Sequence, residues 1–491
     1  MNLMNIRIMH SYKNIFLWIV GVLFLQSCKV TSVKPDDFAK PNQFGPSAEV
    51  KISNDTLKSL PLIKDYYNDA KLQSLLKEAV QNNFDVQVAT QRLQESVAET
   101  RFFKGVLLPE VHANVRAGQR RFGTYTIDGV GNFDTQFSTN LTPEQKLPAP
   151  NVPDYYLGLS TQWEVDVWGK LRNLKKGALQ RYLASSSARN AIQTQMVASV
   201  ANHYYRLMIL DYELQILEEN KNIRENALEA VKLQKEYGRS NELGIELIQA
   251  QLHQVNALYL EVKAEILETE NQINILCGRF PQAVERNAIE SSVTFTKNLP
   301  TIVPSFVLQN RPDIQASVHE MHANNANVRA AQAAFYPSLQ LSAAFGLHSF
   351  RSQFLLDTPE SLANELFANL SAPLLNRRAL KSQLMMSKAH QKKAYVEYQK
   401  TVVEAFTEVY GLLQKEKYFT ELKQERKLQV DVLKKSIQTS QALFVTGRAS
   451  FLEVITAQEN YLQSQLQWLD AMTALTQNQV NLFKAIGGGV Q

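Results

Sequence analysis

The chain has 491 residues, 45% of them hydrophobic and 20% charged, which excludes a disordered chain. Two cysteines exclude a disulfide framework or a zinc-ribbon array, and 19 glycines with 16 prolines exclude collagen-like and elastic sequences. Net charge is +5, and two of the basic groups, Arg7 and Lys13, lie in an acid-free N-terminus; the near-balance of the rest gives no argument for a nucleic-acid partner.

Residues 15–25 read IFLWIVGVLFL, an unbroken apolar run. It is too short to span a bilayer as a helix and has the form of a secretory signal core. Leu25-Gln26-Ser27-Cys28 follows, and this pattern resembles a bacterial lipoprotein signal. The resemblance implies removal of residues 1–27 and lipid attachment at Cys28. An ordinary secretion signal with a chance cysteine is the plain alternative. Lys29 after the anchor points by lipoprotein sorting to the outer membrane. No later run reaches 18 consecutive apolar residues, so no helical membrane span is expected, whereas β-barrel strands escape such a test.

In chain order, residues 68–104 carry helical spacing up to Pro109. Residues 110–117 then alternate, with Val111, Ala113, Val115 and Ala117 on one face and His112, Asn114 and Arg116 on the other. A loop rich in Gly, Asn, Thr and Pro, 119–154, leads to a second alternation at 155–167. There Tyr155, Leu157, Leu159, Trp163, Val165 and Val167 oppose Ser160, Gln162, Glu164 and Asp166. Residues 170–236 hold no Pro, and Val197, Val200, Tyr204, Leu207, Leu210, Leu214 and Leu217 recur at three- and four-residue steps. That predicts one helix of about 100 Å. Helices are also predicted at 243–277, 312–335, 377–443 and 450–485. Two more alternations complete the set. Leu339, Leu341, Phe345 and Leu347 oppose Ser338, Gln340, Ser342 and His348; Leu366, Ala368, Leu370 and Leu374 oppose Asn369 and Ser371. Each has the length of a tilted membrane strand, though half-buried strands of a soluble sheet share the pattern. Tyr155, Tyr156, Trp163 and Phe350 near the strand ends fit interface girdles or plain core packing. The long helices need partners for their apolar stripes, as in a coiled-coil bundle.

The features repeat in order. Arg101 stands eight residues before Pro109, and Arg329 eight before Pro337; each Pro closes a helix and opens an alternating strand. The long helices end near Tyr237-Gly238 and near Phe444 and Gly447, and Ala250-Gln251 and Ala457-Gln458 follow them. The chain is read as an internal duplication. The first repeat is 68–280, with strands 109–118 and 155–168. The second is 311–486, with strands 337–348 and 365–375. A signal peptide (1–27), an anchor segment (28–67), a connector (281–310) and a tail (487–491) surround them.

A strand sheet in lipid must close, because each unpaired backbone group costs several kcal/mol. Four strands are too few, the smallest known barrels having about eight. Three copies give twelve strands, with the polar faces lining a shared lumen and the helices extending as a tube. The segments LQSC (25–28), TQWEVDVWGK (161–170), NRPDI (310–314), VRAAQAAFYPSLQLSA (328–343) and VTGRASFLEVITAQ (445–458) resemble the TolC-like outer membrane factor family. The closest likeness is to its lipoprotein branch, which serves resistance-nodulation-division efflux systems. The resemblance implies an α+β membrane protein: a trimeric 12-stranded β-barrel, four strands per chain, continued by a long α-helical coiled-coil barrel. It implies an equatorial belt around the termini and connector, a lipid-anchored place in the outer membrane of a Gram-negative bacterium, and no cofactor. It also implies a homotrimer that exports passively, with a periplasmic adaptor (membrane fusion) protein and an inner-membrane proton-driven pump docked at the helical tip.

The family closes that tip with aromatic, acidic and arginine side chains. The resemblance places the aromatic at Phe444, the acid at Glu453 and a candidate arginine at Arg448. Thr456 and Ala449 stand where some members carry a second acid and the arginine. A ring of Glu453 carboxylates attracts cations; a solvated helix charge is the plain alternative. Tyr237, Gly238, Arg239 and Glu246, with Gly447, are expected to face the adaptor.

Nothing indicates an enzyme. His319 and His322 share a helix face, but HEMH lacks the HExxH spacing and no acid or cysteine ligand is evident nearby. Ser185-Ser186-Ser187 inside a helix reads as close helix packing. Three functions compete: an export channel for drugs or other small amphiphilic compounds, an outer membrane duct for protein secretion, and a non-pore lipid-anchored coiled-coil scaffold.

Overall fold

The computed structural model describes residues 32, 34–38, 66–148, 150–238, 241–289, 307, 309–375 and 377–488. The signal segment, Cys28, Arg239 and most of the 281–310 connector lie outside them. The chain divides into two units. One comprises Phe103–Gly177 and Ala323–Lys393 together with the N-terminal residues to Asp37; the other comprises Phe38–Phe102, Ala178–His322 and Ala394–Gln491.

The first unit is built on a four-stranded antiparallel sheet in the order β1-β2-β3-β4. Its strands are β1 (Glu110–Arg121), β2 (Asn151–Val165), β3 (Ser338–Ser349) and β4 (Leu362–Ser371). Pro109 and Pro337 stand just before β1 and β3, where a residue without a backbone N–H ends the helix ahead of it. The two repeats are tied at this end. The Trp168 indole N–H donates to Pro337 O at 2.7 Å, and its ring stacks on Tyr336 at 4.9 Å. Two of the segments that carry the family likeness therefore meet in space.

The 119–154 interval is not all loop. β1 runs on to Arg121, β2 starts at Asn151, and a helix fills Ile127–Phe137 between them. Thr126 caps that helix by accepting from Gly129 N. Its glycines and its outward apolar residues hide it from a periodicity reading.

The second unit is helical. The helices of the whole chain, in order and counting the loop helix as α3, begin with α1 (Ala70–Asn82) and α2 (Phe84–Gly105). They continue with α4 (Lys170–Glu236), α5 (Glu242–Leu276), α6 (Pro312–Ala333), α7 (Arg378–Val445) and α8 (Phe451–Ala485). The duplication shows in their lengths: 22 residues for both α2 and α6, 67 and 68 for α4 and α7, 35 for both α5 and α8. The helix expected over 68–104 is broken at Asn83. That residue leaves helical geometry (ψ 127°), its side chain accepts from Val86 N, and its amide donates to Leu276 O at 2.9 Å. A polar side chain competing with the backbone overrides the apolar period here.

The core runs along the hairpin of α4 and α5 with α8 laid on it. Leu210 and Leu217 of α4 pack with Val255 and Val262 of α5 and Leu462 and Leu469 of α8. Toward one end sits an aromatic knot of Tyr66, Tyr67, Tyr204 and Phe483. Tyr204 donates to Asp69 Oδ2 at 2.8 Å, and Asp69 caps α1 by accepting from Lys71 N and Leu72 N, so the buried carboxylate is satisfied. Elsewhere α7 and α5 leave Tyr418, Val432, Leu260 and Leu267 exposed. These apolar rows find no cover among the described residues.

Candidate functional site: a two-faced sheet and two helical turns

Register turns four alternating strands into two continuous faces. Ala113, Leu159, Phe345 and Asn364 lie in one row across the sheet, as do Val115, Leu157, Leu347 and Leu362. With Val111, Trp163, Leu339, Leu366 and Leu370 they form a largely apolar face, with Asn364 as a polar exception at the β4 edge. The other face aligns His112, Ser160, Ala344 and Glu365, and Glu110, Gln162, Ser342 and Phe367. The apolar face is bare: Val115 is 82% exposed and Leu366 80%. A soluble sheet buries such a face, so this one requires a cover that the described residues do not supply. β1 and β4 are also the outer strands of the sheet, with no partner along their far edges among the described residues. Tyr156, read from sequence as a girdle residue, lies on the polar face beside Arg116 and His348, because its register is that of the even-numbered β2 residues.

The polar face holds a network that single strands do not reveal. The Asp154 carboxylate accepts from His348 Nε2 at 2.8 Å and pairs with Arg116 Nε at 3.2 Å and with Arg120 at 3.3 Å. At the opposite end of β2, Glu164 accepts from Lys170 Nζ at 2.7 Å and Asp166 receives Leu171 N and Arg172 N. Asp166 thereby starts α4.

The α7–α8 turn brings together Phe444, Gly447, Arg448 and Glu453. Gly447 has φ +74°, a left-handed conformation that any side chain strains. Its N–H donates to Phe444 O at 3.0 Å and the Arg448 N–H to Leu443 O at 2.8 Å, the paired bonds of a Schellman cap. Ser450 then caps α8. Its backbone N–H and its hydroxyl both donate to Glu453 Oε2, the carboxylate half of a capping box. The backbone N–H of Ser450, then its hydroxyl, hold the Glu453 carboxyl below its ordinary range. Glu453 is exposed and turned to Ser450 rather than to Arg448. Phe444 is half-buried against Phe451, ring centres 5.5 Å apart.

The α4–α5 turn is its counterpart. Gly238 has φ +69°, Tyr237 is 80% exposed, and Asn241 caps α5 by accepting from Gly244 N. Lys235 and Glu242 form an ion pair across the turn, and Glu246 is exposed one turn into α5. Both hairpins share one cluster, in which Ile455 and Phe451 pack on Leu228, Val231 and Ile248.

The RPDI segment is a structural clasp. The Arg311 guanidinium donates to Asp313 Oδ1 at 3.0 Å and Oδ2 at 2.6 Å, to Glu408 at 2.7 Å and to Ala485 O at 3.1 Å. Lys484 adds a 3.0 Å pair to Glu408. One side chain thus joins the start of α6, the middle of α7 and the end of α8. Ser185 and Ser96 share a 2.8 Å hydrogen bond between α4 and α2. His319 pairs with Gln180 at 2.9 Å. Among the described residues no group of three or more His, Cys, Asp or Glu is placed to hold a metal ion. No described helix is long and apolar enough to cross a membrane.

This geometry has relatives. Residues 75–279 and 303–488, the two repeats, match the family described as outer membrane efflux protein. The chain is 24% identical over 426 residues to the cation efflux system protein CusC of Escherichia coli, covering 87% of this chain and 88% of that one. It is 29% identical over 429 residues to the toluene efflux pump outer membrane protein TtgC of Pseudomonas putida, covering 87% and 84%. A crystal structure of CusC superposes with a TM-score of 0.81 at 23% identity, over 94% of this chain and all of that one. The Campylobacter jejuni CmeC outer membrane channel gives 0.79 at 20% identity, over 94% of each. The fold is the one expected from the sequence, that of outer membrane channels: strands contributing to a β-barrel, long helices of a helical barrel, and an internal repeat.

Proposed function

Because this chain belongs to the outer membrane efflux protein family, we propose that it is the outer membrane channel of a tripartite efflux pump, a passive duct for drugs or other small amphiphilic compounds. The observation that carries this is the two-faced sheet. Its uncovered apolar face suits lipid, its polar face suits a water-filled lumen, and its two bare edges demand closure. Three copies close it: β4 of one chain beside β1 of the next gives twelve strands. The exposed apolar rows on α5 and α7 find their partners in the same assembly, as helices in a barrel. Cys28, outside the described residues, is the proposed lipid anchor in the outer membrane.

Transport energy comes from elsewhere, from an inner-membrane proton-driven pump joined through a periplasmic adaptor. The turn carrying Phe444, Arg448 and Glu453 is the proposed gate. Tyr237, Gly238, Arg239, Glu246 and Gly447 form the proposed adaptor-facing surface. The relatives' names cover cations and toluene alike, so one architecture serves systems with different substrates.

A strain lacking the gene tests the reading. Hypersensitivity to several unrelated amphiphiles with raised dye retention, restored by complementation, is the expected result. Normal susceptibility and dye retention, together with loss of a secreted protein, would replace it with a protein-secretion duct.

A further inference from the structure

Cross-strand register sorts the charges of the polar face by height. Toward the β1–β2 loop the face carries Arg116, Arg120, His348 and Asp154, two guanidinium groups to one carboxylate. Toward the start of β1 it carries Glu110 and Glu365, while Glu164 is neutralised by Lys170. Glu110 and Arg120 are ten residues apart on one strand, about 33 Å. Between the two zones lies a row with no charge, Asn114, Gly158, Gly346 and Ala363. The glycine pair is a close approach: a Cβ on Gly158 would stand 2.6 Å from Phe345 O and 2.6 Å from the Tyr156 hydroxyl oxygen. Tyr156 therefore lies along the face, with the Arg116 guanidinium 5.4 Å from its ring centre and the His348 ring edge-on at 6.2 Å. Arg116 is fixed by a carboxylate and a ring together, so its charge is held at a set height.

Resting on the duct reading above, we infer that the barrel lumen is bipolar, with an acidic inner zone and a basic outer belt, and that the belt of Arg116 and Arg120 selects for anionic solutes at the outer mouth. In a lumen three copies of the belt face one another across a narrow water column, where like charges reinforce. The belt carries +1 per chain with His348 neutral, and the inner zone carries −2 with His112 neutral. The ligand class is a small anion or the carboxylate or phosphate of an acidic amphiphile. Guanidinium groups take either in a forked geometry. Asp154 has two effects: it orients both arginines and lowers the field they present.

The test uses the purified full-length protein in planar bilayers, with inorganic tripolyphosphate as the probe. Current through the wild type is expected to be blocked by tripolyphosphate from one side only, the loop side. Arg116→Gln with Arg120→Gln is expected to lose that block. Asp154→Asn, which releases both arginines from their carboxylate, is expected to block at lower probe concentration. Opposite shifts from two variants of one network are not a product of general damage. Variants are compared only as intact oligomers on a gel. Equal block in wild type and both variants, or equal block from both sides, overturns the inference and leaves the duct standing. Absence of any current in the wild type overturns the duct and the belt with it.

Discussion

Arg311 touches three helices through one planar group, and its partner Glu408 records the consequence. Burial pushes the Glu408 carboxyl up, but hydrogen bonds from Arg311 and Lys484 outweigh it and hold the group below its ordinary value. A native value below the unfolded one gives stabilisation that is complete above the ordinary carboxylate range and is lost as pH falls through the native value. The thermal midpoint of the purified protein is therefore expected to be flat through neutral pH and to fall in acid. In Glu408→Gln the acid fall should be shallower; superimposable profiles would show that the linkage runs through other groups. The clasp is also where sequence reading is weakest. RPDI is visible as a string, but its partners lie 97 and 174 residues further on, at Glu408 and Ala485. The Asp154 network is hidden for the same reason, since Arg116, Asp154 and His348 meet only once β-register is known. Charge separation along a face is a property of register, and alternation within a strand does not encode it.

Among the elements, the long helices and the alternating strands are legible because their periods persist over many residues. The loop helix and the break at Asn83 are not, because a short helix with outward apolar residues and a side-chain cap both run against periodicity. The tip turn divides in the same way. Its glycine and its aromatic are readable as helix punctuation, whereas the engagement of Glu453 with Ser450 is not. That engagement makes two substitutions informative. Gln supports a capping box as Glu does, so Glu453→Gln removes only the charge, while Glu453→Ala removes charge and cap together. Hydrogen exchange at the start of α8 is expected to rise in the Ala variant alone. Cation preference or open probability in bilayer recordings is expected to change in both. Recordings unchanged in the Gln variant would leave Glu453 as a cap and remove it from the gate. Gly447 is a further constraint on this turn, because its φ of +74° leaves side-chain-bearing replacements strained by about 1 kcal/mol.

At the scale of the whole molecule, the chain combines a proposed anchor with, among the described residues, a sheet that has two unpaired edges and helices with uncovered apolar rows. Cys28→Ser separates the first from the others. A variant without acyl chains is expected to remain unlabelled by a radioactive fatty acid and to fractionate less completely with the outer membrane. Normal labelling would refute the anchor assignment. The expectation that an assembly is needed comes from counting strands, and the register strengthens it by showing that both edges are strand-long. Its kinetic corollary concerns the order of events during biogenesis. A solitary copy entering lipid would expose the outward backbone groups of β1 and β4 to hydrocarbon, so insertion and association cannot be sequential steps with a stable intermediate between them. Barrel appearance should then rise more steeply than linearly with protomer concentration, and any cell making this protein slowly would accumulate tethered, uninserted chains before it accumulated pores.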